Sequence, residues 1–320
     1  MMNAAMEKKP HQTISNPVKN QLHSLVTISQ LAQQIDLPSF HIKSQHKGSL
    51  LSKFKGRGVE LTENRPYEDG DDVRDLNWQV YAKTGRLHTK VYQEERERPV
   101  YLWVDVGPSM QFATQGSFKS VVASHLASLV GWYELKRHNR VGGVIASANS
   151  VSFFKAGKNR KNFLRFLHTL CLDKYGQDKQ SSQTLYEKLK VLERVKQPGT
   201  AMFLFGDFLG WDQTCKKHII RLSKHQDITL TIVLDPIELN LHSDGTYAFS
   251  NGHEQTLLDL SQKKILENYY SAIKNRIHDI RSLATYPNIN TMMVFSNDHP
   301  LQKAFQKSEQ IQNIFPKEGA

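Results

Sequence analysis

Cysteine is scarce in this chain of 320 residues, which holds only Cys171 and Cys215. They lie far apart and in no Cys-x-x-Cys or Cys/His spacing, which argues against both a disulfide framework and a structural zinc site. Long apolar runs are missing too. No stretch approaches the roughly 18 uninterrupted apolar residues that a membrane span requires, and the opening MMNAAMEKKPHQTISNP has no apolar core before a small-residue cleavage site. These absences predict a cytoplasmic protein with no membrane span. The common catalytic signatures are absent as well: no GxxxxGKS/T, no strand-linked GxGxxG, no GxSxG elbow and no HExxH. His218 and His225 stand seven apart on one predicted helix, too far to share a metal.

Basic residues are in excess. Lys and Arg number 42 against 31 Asp and Glu, a net charge of +11. The cations are scattered, as at Arg160-Lys161, Lys216-Lys217 and Lys263-Lys264, without interleaved aromatics to stack bases. The excess is therefore read as a solvated surface, with a basic nucleic-acid-binding protein kept as the alternative.

Three stretches differ in pattern. Residues 1–19 are polar, carry Pro10 and Pro17, and show no period, the mark of a flexible tail. Residues 20–98 open with a helical face (Leu22, Leu25, Val26, Ser29, Ala32, Ile35) and continue as a small β-rich segment dense in Gly and charge. From residue 99 to 320, buried-type strands (VYLWVDV, RVGGVIA, SVSFF, TAMFLFGDF, ITLTIVLD, INTMMVF) alternate with helical stretches at 117–138, 158–173, 184–195, 213–225, 260–284 and 299–314. That alternation predicts an α/β fold with a doubly wound, mostly parallel sheet. The connection in RVGGVIASANSVSFF is too short for a crossover, so one of its strands is an antiparallel edge.

In such a sheet, ligands sit beyond the carboxyl ends of the strands. Asp105 ends the first strand and Asp207 the fourth, which sets two carboxylates about one strand spacing, roughly 5 Å, apart. Ser109, on the loop after Gly107, and Thr184, opening another helix, are hydroxyls of the kind a hard cation takes alongside carboxylates. Taken singly, each of the four reads as structural, since Asp and Ser at strand-to-helix turns are ordinary helix caps.

Jointly they resemble the metal-ion-dependent adhesion site of the von Willebrand factor A fold, which reads Asp-x-Ser-x-Ser, then a distant Thr, then an Asp at a later strand end. Asp105, Ser109, Thr184 and Asp207 match, and Gly107 stands where the first Ser belongs. The resemblance implies a Rossmann-type domain over about 100–295 that holds Mg2+ or Mn2+. Upstream, Gly58-Val59-Glu60, the run Arg65-Pro66-Tyr67-Glu68-Asp69-Gly70-Asp71-Asp72-Val73-Arg74-Asp75-Leu76-Asn77-Trp78 and Ala82-Lys83-Thr84-Gly85-Arg86-Leu87 are similar to the signature of the bacterial domain-of-unknown-function family 58. Asp207-Phe208 and Val233-Leu234-Asp235-Pro236-Ile237-Glu238 are similar as well. Asn77 departs from the family's usual Asp. The signature positions Arg65, Tyr67, Gly70, Asp71, Arg74 and Trp78 lie in a stretch where Arg65, Arg74, Glu68, Asp69, Asp71, Asp72 and Asp75 form a mixed-charge cluster, read as an internal network with Trp78 and Tyr81 buried beside it, or else as a partner-facing surface or an acidic cation site.

The resemblance implies a non-enzymatic protein-interaction module working with a MoxR-type AAA+ ATPase, and with other von Willebrand factor A proteins, in chaperone-like maturation or remodelling. Two carboxylates around a metal leave a metal-dependent phosphohydrolase as the enzymatic alternative.

Overall fold

Central strands of a sheet covered on both sides need apolar side chains pointing both ways, and three segments here meet that demand along their whole length. In a computed structural model, which describes residues 16–34, 59–68, 71–94, 98–172, 183–195, 197–241, 246–250, 255–259 and 263–298, every residue of PVYLWVD, AMFLFG and DITLTIVL is buried. In chain order the elements are α1 (Leu22–Gln34), β1 (Val59–Pro66), α2 (Trp78–Thr84), β2 (His88–Glu94), β3 (Pro99–Asp105), α3 (Lys119–Lys136), β4 (Arg140–Ala146), β5 (Val151–Gly157), α4 (Arg160–Leu170) and α5 (Leu185–Lys190). They continue with β6 (Ala201–Gly206), α6 (Gln213–Ser223), β7 (Asp227–Leu234), α7 (Pro236–Leu239), β8 (Thr246–Ser250), β9 (Gln255–Asp259), α8 (Lys263–Ser282) and β10 (Ile289–Phe295).

The chain divides into two units, residues 47–97 and the remainder. The larger is mixed α/β, built on a six-stranded sheet in the order β10-β7-β6-β3-β4-β5. All neighbours are parallel except β5, which pairs antiparallel with β4 as the short connection requires. Alternate residues of β3 face opposite cores: Val100, Leu102 and Val104 pack with α1, α3 and α4, while Tyr101 and Trp103 pack with residues of α5, α6 and α8. The expected helix at 299–314 lies outside the described residues, and among those described no helix is long and apolar enough to cross a membrane.

Helix α3 is buried from Lys119 to Glu134. A helix apolar all round needs cover on both sides, and α1 supplies it. The Leu25 carbonyl accepts from Ser128 Oγ at 2.7 Å and from Trp132 Nε1 at 3.0 Å, and the Phe118 N–H donates to Pro17 O at 2.8 Å. The sequence pattern groups α1 with the β-rich segment over 20–98; its packing joins it to the sheet. Helix α4 approaches so closely that a Cβ on Gly143 would lie 2.3 Å from the Phe166 ring. Only a residue without a side chain admits that ring, whose burial contributes about 1.5–3 kcal/mol.

The smaller unit is an antiparallel β1–β2 pair enclosing α2 in the chain. Asn77 caps α2, its side-chain oxygen accepting from Gln79 N at 3.2 Å and Val80 N at 3.3 Å, while its amide donates to Asn64 Oδ1 at 2.8 Å. An Asp would serve the cap but has no proton for Asn64, a local reason for Asn at this position.

Candidate functional site: the carboxyl edge of the sheet

Three consecutive strands, β7, β6 and β3, end in an acid: Asp235, Asp207 and Asp105. Each carboxylate closes the same local turn, accepting from the backbone N–H two residues on. The bonds are Gly107 N to Asp105 Oδ1 at 2.8 Å, Leu209 N to Asp207 Oδ1 at 3.0 Å and Ile237 N to Asp235 Oδ1 at 3.0 Å. A short acidic side chain does this because it offers the chain an alternative partner just where the ladder stops.

Two lysines complete the edge. Lys119, in the first turn of α3, places its ammonium 2.9 Å from Asp207 Oδ2 and 3.1 and 3.2 Å from the two oxygens of Glu238, and the side chains of Lys119 and Asp207 are each only 2% exposed. Glu238 is itself fixed, since its Oε2 accepts from Asp235 N at 2.6 Å. Lys188, on α5, stands 3.8 Å from Asp105 Oδ1. Asp235 needs no cation: it accepts from Thr114 N at 2.8 Å, Thr114 Oγ1 at 2.5 Å and Ser296 Oγ at 2.6 Å.

Burial raises the pKa of Asp105 and Asp207, and the neighbours decide the outcome. For Asp207 the charges of Lys119 and Arg276, with the Leu209 N–H, outweigh burial and hold the carboxyl down to about 2. For Asp105 burial prevails over the more distant Lys188, and the negative charge of Asp207 adds to it, so the carboxyl is pushed up to about 6. Burial pulls the Lys119 ammonium down, but Asp207 and Glu238 more than restore it and keep it charged.

The two hydroxyls read from the sequence do other things. Thr184 is exposed and caps α5: its Oγ1 accepts from Glu187 N at 3.3 Å and donates to Glu187 Oε2 at 3.0 Å. Ser109 sits half-buried in the single 3-10 turn Pro108–Met110. At Gly107 a Cβ would lie 3.0 Å from Asp105 Oδ1, a tight approach, and 3.4 Å from Lys188 Nζ, an ordinary contact. These residues do not fit a divalent ion. The acids stand together, but an ammonium holds the free oxygen of Asp207, and Thr184 is closed on its own helix end.

Beyond the acids the loops are braced from beneath. Phe208 takes a left-handed backbone (φ 51°), uncommon for a bulky residue, and is fully buried against Trp103, the rings stacked at 6.1 Å. The next residue, Leu209, is 57% exposed although Asp207 fixes its N–H. Phe112, on the loop after β3, is 41% exposed, and its carbonyl accepts from the Lys119 N–H at 3.1 Å. The Asp207 carboxylate thus anchors the backbone at exposed Leu209, and a backbone bond to Lys119 anchors it at exposed Phe112.

In the smaller unit the signature residues form a local network. Arg65 Nη2 meets Asp71 Oδ1 at 2.5 Å, and Asp71 Oδ2 accepts from Glu68 N at 3.1 Å and Thr89 Oγ1 at 3.2 Å. These bonds, the backbone donor first among them, lower the pKa of Asp71. Tyr67 donates its N–H to Leu87 O at 3.0 Å, and Arg74 gives its N–H to Asp72 Oδ1 at 2.9 Å. Gly70 lies outside the described residues. Trp78 and Tyr81, expected to be buried beside the network, are 59% and 43% exposed, rings edge to face at 6.2 Å. As the first and fourth residues of α2 they share one helix face, and that face is open.

Sequence reasoning found Asp105 and Asp207 and missed Lys119, Lys188 and the role of Glu238. One signal for Lys119 was available. A lysine in the first turn of an otherwise apolar helix opposes the helix dipole and must find carboxylates.

The sequence pattern of a family described as "Protein of unknown function DUF58" matches residues 63–278. Uncharacterized proteins of Mycobacterium bovis and Mycobacterium tuberculosis are each 25% identical over 214 residues, 67% of this chain and 67% of the relative. Similar solved structures include a conserved hypothetical protein, BatB, from Bacteroides thetaiotaomicron (TM-score 0.40, 15% identity, 68% of this chain and 98% of that one). An aerotolerance-related membrane protein from Bacteroides fragilis gives 0.36 and 13%, covering 65% and 98%. An uncharacterized membrane spanning protein from Vibrio fischeri gives 0.25 and 13%, covering 69% and 100%. The expectation of a cytoplasmic protein is corrected on this finding: two of these three are described as membrane proteins, and a cytoplasmic placement is not carried forward.

Proposed function

This chain belongs to the DUF58 family of proteins of unknown function, and from that premise we propose that it is a non-enzymatic protein-interaction module whose partner docks at the carboxyl edge of the six-stranded sheet. The observation that carries the reading is the pair of exposed apolar residues, Phe112 and Leu209, on loops leaving adjacent strands, the first tied to the Lys119 backbone and the second to the Asp207 carboxylate. Rigid apolar groups at the ligand-binding end of an open sheet suit a protein surface. Hydrolysis would need a carboxylate free to activate water. Asp207 is tied to Lys119, and Asp105 closes a backbone turn beside Lys188.

On this reading the larger unit is a von Willebrand factor A-like domain with a decayed adhesion site. The partner that family resemblance suggests is a MoxR-type AAA+ ATPase, and the joint task is maturation or remodelling of other proteins.

The test is a pull-down from the source cells with tagged wild type and Leu209→Asp, including a nuclease-treated arm. The reading expects wild type to recover an AAA+ ATPase and Leu209→Asp to lose it. Recovery abolished by nuclease would instead make the +11 charge the operative feature. Equal recovery by both proteins would move the docking face elsewhere.

A further inference from the structure

We infer that Lys119 and Lys188 are built-in counter-cations of the carboxyl edge, so that this site works without a divalent ion. The inference goes beyond the partner reading and is tested on the isolated chain, so it stands or falls independently of the pull-down.

Charge balance and geometry carry it. A divalent cation between the tips of β3 and β6 would draw on the outward oxygens of Asp105 and Asp207, at about 2.0–2.1 Å for Mg2+. The outward oxygen of Asp207 already accepts from the Lys119 ammonium at 2.9 Å, and that ammonium is shared with Glu238 at 3.1 Å. An ion on the same oxygen would face the positive charge of Lys119 across one atom, in surroundings where both side chains are 2% exposed and water screens little. On the other side, Lys188 stands 3.8 Å from Asp105. It also lies 3.4 Å from where the first atom of a side chain at position 107 would sit, in ordinary contact, so its positive charge stands beside the place of the ligand that Gly107 lacks.

Asp105, Asp207 and Glu238 are met by Lys119, Lys188 and Arg276, the last acting on Asp207 through its charge. Each acid of this group thus has a cation supplied by the chain itself, from α3, α5 and α8. A lysine carried by a packed helix is present at every ion concentration. The loops bearing Phe112 and Leu209 are therefore held in chelator and in magnesium alike, whereas a site bridged by a metal loses that bridge when the ion is removed.

The experiment is a Mn2+ titration of the full chain, read by the electron paramagnetic resonance signal of free Mn2+, on wild type, Asp207→Asn and Gly107→Ser, with thermal unfolding in EDTA and in millimolar Mg2+. The expected result is no saturable Mn2+ site into the millimolar range in any of the three and the same wild-type unfolding midpoint in both buffers. A saturable wild-type site lost in Asp207→Asn, a site created by Gly107→Ser alone, or a midpoint lowered by EDTA would overturn the inference. Lys119→Arg against Lys119→Met separates charge from packing. The arginine variant is expected to keep a midpoint closer to wild type, and an equal loss in both would show that position 119 acts only by filling space.

Discussion

At the tip of β6, Asp207 meets Lys119 with both side chains 2% exposed, whereas in the smaller unit Asp71 meets Arg65 with 17% and 37% exposed. Both acids also close a backbone turn, accepting from Leu209 N and Glu68 N respectively. The chemistry is the same and the surroundings are opposite. In the buried pair, desolvation is the largest influence on Asp207 and only several converging donors overcome it. In the half-buried pair, a backbone donor outweighs desolvation by itself. A buried carboxylate depends on every neighbour, while one partly open to solvent is served by water as well.

Four substitutions sharpen that contrast. Lys119→Met has the largest expected effect, because it strands Asp207 and Glu238; removing one partner of a buried pair costs about 3–5 kcal/mol in urea unfolding. Asp207→Asn follows at about 2–3 kcal/mol, the usual loss for a charge-assisted hydrogen bond. Because its folded pKa is depressed, the contribution of Asp207 is present above the ordinary 3.8 and lost as pH falls through about 2. Unfolding curves of this variant and wild type should therefore converge only in strong acid.

Asp105→Asn has the opposite sign. The folded pKa of Asp105 is raised from 3.8 to about 6, so its favourable contribution is complete below 3.8 and lost as pH rises through 6. Relative to wild type, the variant should gain about 1–3 kcal/mol between pH 4 and pH 7. A constant difference across that range would refute the assignment. The smallest effect is expected for Arg65→Gln, a slight loss that moderate salt removes, since a pair partly open to solvent is screened. A salt-insensitive loss as large as that of Asp207→Asn would erase the contrast between the two regions.

Much of the larger unit was legible in the chain. Apolar runs such as TAMFLFG and ITLTIVL are set by local pattern, and they form β6 and β7. The short link after RVGGVIA forces the antiparallel β5. The strand-tip acids Asp105 and Asp207 close local turns and do not cap the helices that follow, whose caps are Gly107 and Asp212. Trp78 and Tyr81 were misread because proximity in sequence says nothing about which face of α2 is covered.

The alternation of strands and helices, the acids at the strand ends and the turns those acids close follow from local pattern. What stands opposite the acids follows from packing. Lys119 and Asp207 are 88 positions apart, and Lys119 reaches Glu238 across 119. No periodicity links residues at such separations. Strand order brings β7, β6 and β3 side by side, and the packing of α3 and α5 on opposite faces delivers a lysine to that edge from each side. The motif letters alone fit a divalent ion or a set of caps equally well. Burial makes an uncompensated carboxylate costly to leave, and the lysines stand where that cost falls.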